Sequence, residues 1–73
     1  MDRDLIPEGT IILEPDYLDF AIVGIDQTGK LVYDYDLLVD AFMFNEPFSV
    51  DDAVEWIDYN IASTDMVTIL YKL

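Results

Sequence analysis

Residues 20–33, with the sequence FAIVGIDQTGKLVY, decide the fold that the chain is expected to adopt. Two apolar runs, 20–25 and 30–33, flank a short polar loop with Gly29 near its end, and the first run is rich in β-branched residues. This pattern is typical of a β-hairpin, because glycine permits the turn and the two runs can then pair across it. The hairpin is the strongest local signal in the sequence.

Two helices are predicted directly after the hairpin. Asp34 can cap a helix over residues 35–44, which ends before Pro47 because proline disfavours helix at the preceding residue. Ser49 is a typical N-cap for a second helix, and Asp52 three positions later can complete a capping box. Apolar residues then recur at helical spacing and predict one buried stripe, formed by Val50, Ala53, Val54, Ile57 and Ile61.

The remaining segments complete an α+β fold of order ββααβ. Residues 66–71 are predicted as a final strand with Val67, Ile69 and Tyr71 on one face. Residues 11–13 are expected to form an edge strand or a packed arm, and residues 1–10 a lead-in segment. We expect a small antiparallel sheet, made of the hairpin plus the C-terminal strand, packed on two consecutive helices. A chain of 73 residues is long enough for one domain, 1–73, with its compact core in 11–73.

The charge of the chain is strongly one-sided. Sixteen Asp and Glu face three Lys and Arg, for a net charge of −13, while 53% of residues are hydrophobic and can supply a core. A field of this sign repels nucleic acid and anionic membranes, so we expect no direct binding to either. A partner would present a basic surface. The alternative is that the charge only maintains solubility.

Several chemistries are not expected. The chain has no Cys and no His, which removes thiolate sites and the commonest general base. Its paired carboxylates fall on solvated helix faces, and a domain this small has little volume for a cleft in which two pKa values could be separated. No window supplies the ligand spacing of a calcium loop. We therefore predict no enzyme, metal or cofactor, and a cytoplasmic protein without a leader segment.

Two stretches resemble a known group of proteins. Residues 32–36, VYDYD, and 53–60, AVEWIDYN, together with AIVG at 21–24, resemble uncharacterised small proteins of Gram-positive bacteria, their phages and mobile elements. In that group a YDY helix start precedes an A-x-E-W-I-x-Y-N helix. The resemblance implies a mobile-element context and no particular activity. Residues 61–65, IASTD, replace a basic, proline-containing segment of the group and make this chain more acidic.

The acidic helix faces lead to two functional hypotheses. Carboxylates four residues apart on a helix are about 6 Å apart, similar to phosphates along a nucleic-acid strand. The first hypothesis is a nucleic-acid mimic of the anti-CRISPR or anti-restriction kind, which blocks a basic DNA- or RNA-binding protein through Asp36, Asp40, Asp51, Glu55 and Asp58, with Trp56 as an anchor. The alternative is a non-enzymatic interaction or self-assembly module, such as a homodimer, that uses residues 11–13 or 66–73. An acidic antitoxin is a third, minor reading.

Overall fold

A computed structural model describes residues 2–72 and confirms the α+β class and the ββααβ order. The strands and helices are β1 (Ile22–Ile25), β2 (Leu31–Asp34), α1 (Tyr35–Asn45), α2 (Val50–Ile57) and β3 (Thr68–Leu70). Two 3₁₀ helices, Arg3–Leu5 and Asp16–Ala21, precede the hairpin, and a π-helical turn, Asp58–Ala62, extends α2. β3 has three residues and is shorter than the strand predicted over residues 66–71.

The sheet has the order β1-β2-β3, and its orientation corrects one prediction. β1 and β2 pair antiparallel, as a hairpin must, with a register shift between Ile22 and Gly24. β3 pairs parallel to β2, with Val32 opposite Thr68 and Asp34 opposite Leu70. The expectation of a wholly antiparallel sheet was therefore wrong. A connection containing two helices is long enough to carry the chain back to the starting end of the sheet, which a short turn cannot do.

Asp26 organises the hairpin loop and links it to β3. Its Oδ1 accepts hydrogen bonds from the backbone N–H and the hydroxyl of Thr28 and from the N–H of Lys30, while Oδ2 accepts one from the Thr68 hydroxyl. The hydrogen bonds from Thr28 and then Thr68 hold the pKa of Asp26 well below its usual range. Gly29 has a φ of 89°, which accounts for glycine at this turn position.

Both predicted helix starts are confirmed. Asp34 Oδ1 accepts a hydrogen bond of 3.0 Å from the Leu37 N–H at the start of α1. At the start of α2, Ser49 Oγ accepts from the Asp52 N–H, and Asp52 Oδ2 accepts from the Ser49 N–H, at 3.2 and 3.1 Å. This reciprocal pair is a capping box, which satisfies two N–H groups that the helix itself leaves free.

The core lies between the sheet, the two helices and residues 11–21. Ala53, Ile57 and Ile61 of the predicted stripe are buried, whereas Val50 is 51% exposed and its predicted burial was wrong. Val50 is the first residue of α2, and Val54, the remaining residue of the predicted stripe, is only half-buried. Residues 11–13 form a packed arm rather than a strand: Leu13 is buried, and its N–H donates a 2.9 Å hydrogen bond to the Tyr33 hydroxyl.

Candidate partner-binding surface

The exposed side of α2 carries a row of carboxylates. Asp51 and Glu55 are four residues apart, so they lie one turn above the other on the same face. Together with Asp58, Val54 and Tyr59 they line a solvent-open depression of about 400 Å³. All three acids are exposed, and none of their side chains caps a helix end. Three of the six residues predicted from the sequence therefore meet on one surface.

The acids of this row have no cationic partner. Each of the three basic side chains pairs elsewhere: Arg3 Nε lies 2.6 Å from Asp19 Oδ2, Lys30 Nζ lies 3.6 Å from Asp65 Oδ2, and Lys72 Nζ lies 2.7 Å from an oxygen of Asp34. Within residues 2–72, no Lys or Arg forms an ion pair with a carboxylate on the exposed faces of α1 or α2. No ion pair in this part of the chain therefore offsets the charge of Asp51, Glu55 or Asp58, whereas Asp36 lies close enough to Lys72 to raise the pKa of its ammonium group.

Asp36 is exposed near the start of α1, next to Tyr35. Burial raises the pKa of the Tyr35 phenol, and the negative charge of Asp58, Tyr71 and Asp36 raises it further. Tyr35, at the start of α1, is thus close enough to both Asp36 and Asp58 for their charges to affect its pKa. The Tyr35 ring also packs on Tyr71, with 4.9 Å between ring centroids. Asp36 and Asp58 thus both lie near Tyr35, while the depression on α2 is lined by Asp58 and not by Asp36.

Asp40 lies apart from that surface. It is one turn beyond Asp36 on α1 and is exposed, but it borders a different depression, of about 470 Å³, lined also by Phe20, Phe44 and Asn45. The ring of Phe44 is 90% exposed and that of Phe20 is 51% exposed. The surroundings of Asp40 are therefore mainly apolar, in contrast to the row on α2.

Trp56 is largely a core residue. Its ring packs on Phe42 of α1, with centroids 4.8 Å apart, and only part of it is accessible. That part lines a depression of about 530 Å³, which also contains Glu55, Asp52 and Tyr59. Tyr59 is the exposed aromatic of this face, at 81%, and was not among the predicted site residues. Its spacing of four from Glu55 and eight from Asp51 is the sequence signal for its place.

The buried carboxylate of Asp34 has a structural role. Its side chain is 1% exposed, caps α1 through Oδ1, and meets the ammonium group of Lys72 through Oδ2. The ion pair with Lys72, followed by the Leu37 N–H, lowers the pKa of Asp34. Because this acid is fully engaged inside the fold, it cannot serve a partner.

No cluster of three His, Cys, Asp or Glu in the described residues has the geometry to hold a metal ion. None of the helices over residues 2–72 has both the length and the apolar character needed to cross a membrane. The surface chemistry is thus the main guide to function. No family model matches the chain, and no curated protein or solved structure is significantly similar to it.

Proposed function

We propose that the protein is an inhibitor that imitates nucleic acid and blocks a basic DNA- or RNA-binding protein, of the anti-CRISPR or anti-restriction kind. The observation that carries this proposal is the row of exposed carboxylates Asp51, Glu55 and Asp58, which line one depression and form no ion pair with the basic residues in the described part of the chain. Asp36, exposed on α1, is proposed as a further anionic contact. A row of fixed anions can occupy a channel lined with Lys and Arg and exclude the natural ligand.

The energetics favour a partner over mere solubility. Like charges four residues apart destabilise a helix by roughly 0.2–0.5 kcal/mol per pair, and Asp36 with Asp40 and Asp51 with Glu55 both bear that cost. A mixture of signs would keep the protein soluble without the repulsion. The net charge of −13 also speeds encounter with a cationic target and makes it sensitive to salt.

The proposed action needs no catalysis and no cofactor, and the chain itself does not bind nucleic acid. Its place of action is the cytoplasm of a bacterial host, where defence proteins that handle nucleic acid are found. The resemblance of residues 32–36 and 53–60 to proteins of phages and mobile elements supports the same context.

A pair of charge-reversal variants tests the proposal. The variant Glu55→Lys/Asp58→Lys reverses the row, whereas Asp4→Lys/Glu8→Lys makes the same change in net charge on exposed residues of the N-terminal segment. Wild-type and both variants are used to capture proteins from a lysate of the source organism, followed by mass spectrometry. We expect the wild-type and the control to retain one dominant nucleic-acid-binding protein, which duplex or single-stranded nucleic acid displaces.

Capture should weaken strongly between about 50 and 500 mM salt, because screening shortens the range of the field. Loss of capture in the first variant alone supports the proposal. Equal capture by both variants, or capture that resists salt, contradicts it.

The second candidate function is an interaction or self-assembly module, and the position of β3 favours it. β3 is an edge strand of the sheet, and Leu70 on it is 44% exposed. An unpaired edge can add a strand from another chain. Under this reading, light scattering would show a salt-tolerant oligomer that Leu70→Lys dissociates, and the charge reversal at Glu55 and Asp58 would have no effect on it.

A further inference from the structure

Each helix carries two exposed acids followed by an exposed aromatic at spacings of four and eight residues. The two rows are Asp36, Asp40 and Phe44 on α1, and Asp51, Glu55 and Tyr59 running from α2 into the π-helical turn. At 90% and 81%, Phe44 and Tyr59 are the most exposed of the large hydrophobic side chains described in the structure. The pattern of two anions and a ring is therefore repeated on both helices.

The exposure of Phe44 has no explanation in the packing of the fold. The neighbouring Phe42 supplies the core contact of this part of α1 and is 2% exposed. Phe44 instead forms an exposed apolar patch with Phe20 beside Asp40. Aromatic rings that are surface-exposed and rimmed by polar groups are characteristic of protein-binding sites.

A second copy of the chain does not fit this patch. A two-fold contact would place Asp40 near Asp40 and bring together two chains that each carry a charge of −13. A partner with apolar sockets bordered by Lys and Arg satisfies both the rings and the carboxylates.

We propose that Tyr59 anchors the row on α2 and Phe44 the separate row on α1, and that the surface they enter is a single-stranded nucleic-acid groove. This inference rests on the proposed function and narrows its partner class. Grooves for single strands combine a cationic track for the backbone with platforms on which unstacked bases lie. A row of anions that ends in a free ring matches both parts. Channels for duplexes follow phosphates and offer no such platform, because the bases of a duplex stay stacked.

Displacement from the captured partner tests the assignment. The full chain, immobilised with its captured partner, is treated either with an oligothymidylate of about 20 nucleotides or with a DNA duplex of about 20 base pairs at the same phosphate concentration. We expect the single strand to release the partner at a concentration at least about tenfold lower than the duplex does.

The variants Phe44→Ala and Tyr59→Ala should each weaken capture by about tenfold or more, as truncation of an anchor does. Tyr59→Phe keeps the ring and should bind as the wild-type does. Urea unfolding of all three should match the wild-type, since both side chains lie outside the core.

The outcomes separate this inference from the proposed function. Release by the duplex at the same or lower concentration, or undiminished capture by both alanine variants, overturns the single-strand assignment while leaving the mimic in place. Undiminished capture by Glu55→Lys/Asp58→Lys, or capture of no nucleic-acid-binding protein, overturns the mimic and this inference with it.

Discussion

Replacing Tyr33 by phenylalanine removes one oxygen atom from the centre of the core. That hydroxyl accepts the hydrogen bond from the Leu13 N–H, and neither residue exposes more than 8% of its surface. In the variant the N–H has no partner at its present position, because the phenylalanine ring offers no acceptor. Leaving a buried backbone donor unsatisfied costs about 1–3 kcal/mol. A domain of this length has about 4–11 kcal/mol of stability in total, so the loss is a large fraction.

Urea unfolding, followed by the fluorescence of Trp56, measures this loss in Tyr33→Phe. We expect a lower midpoint with an unchanged slope, and a melting temperature lower by about 4–8 °C for each kcal/mol. Tyr17→Phe is the matched control: its half-buried hydroxyl donates to Glu46 at 3.0 Å, and water can replace that bond. A loss in Tyr33→Phe below about 0.5 kcal/mol, the size of an ordinary surface effect, would refute the idea that this bond holds residues 11–13 in the fold.

Four further outcomes are expected. Asp26→Asn should destabilise the protein at neutral pH. Because folding lowers the pKa of Asp26, the stability that its carboxylate contributes is present above the ordinary pKa of 3.8 and is lost as the pH falls. Melting curves of the variant and the wild-type should therefore converge in acid. Phe42→Ala should cost about 3–5 kcal/mol in urea unfolding because it opens a cavity between α1 and α2. Phe44→Ser should change stability by less than about 0.5 kcal/mol by the same assay. Added salt should raise the melting temperature of the free protein, since it screens repulsion among unpaired acids, and a fall would contradict that repulsion.

Local features of the fold could be predicted from the sequence, and features set at long range could not. The hairpin loop and the caps at Asp34 and Ser49 depend on contacts within four residues, so composition and spacing suffice. The parallel direction of β3 depends on the path of two helices in space, which no local pattern specifies. Burial of the first turn of α2 depends in the same way on where the helix meets its neighbour.

The candidate surface shows the same division. Helical spacing places Asp51 and Glu55 together, because both lie within the regular part of α2. From Asp58 onward the helix widens into a π-helical turn, in which each residue is rotated less than in an α-helix. Tyr59 lies in this turn and not in the regular helix, and it was not among the predicted site residues although its spacing of four from Glu55 indicates the shared face.

The three basic residues form ion pairs between segments that are distant in sequence. Arg3 joins the two 3₁₀ helices, Lys30 joins the hairpin loop to Asp65, and Lys72 joins the end of the sheet to the start of α1. Amine-directed dyes and crosslinkers that react with Lys30 or Lys72 would consequently disrupt these ion pairs. A fluorophore or immobilisation handle is better attached through an engineered thiol, which would be unique in a chain without cysteine.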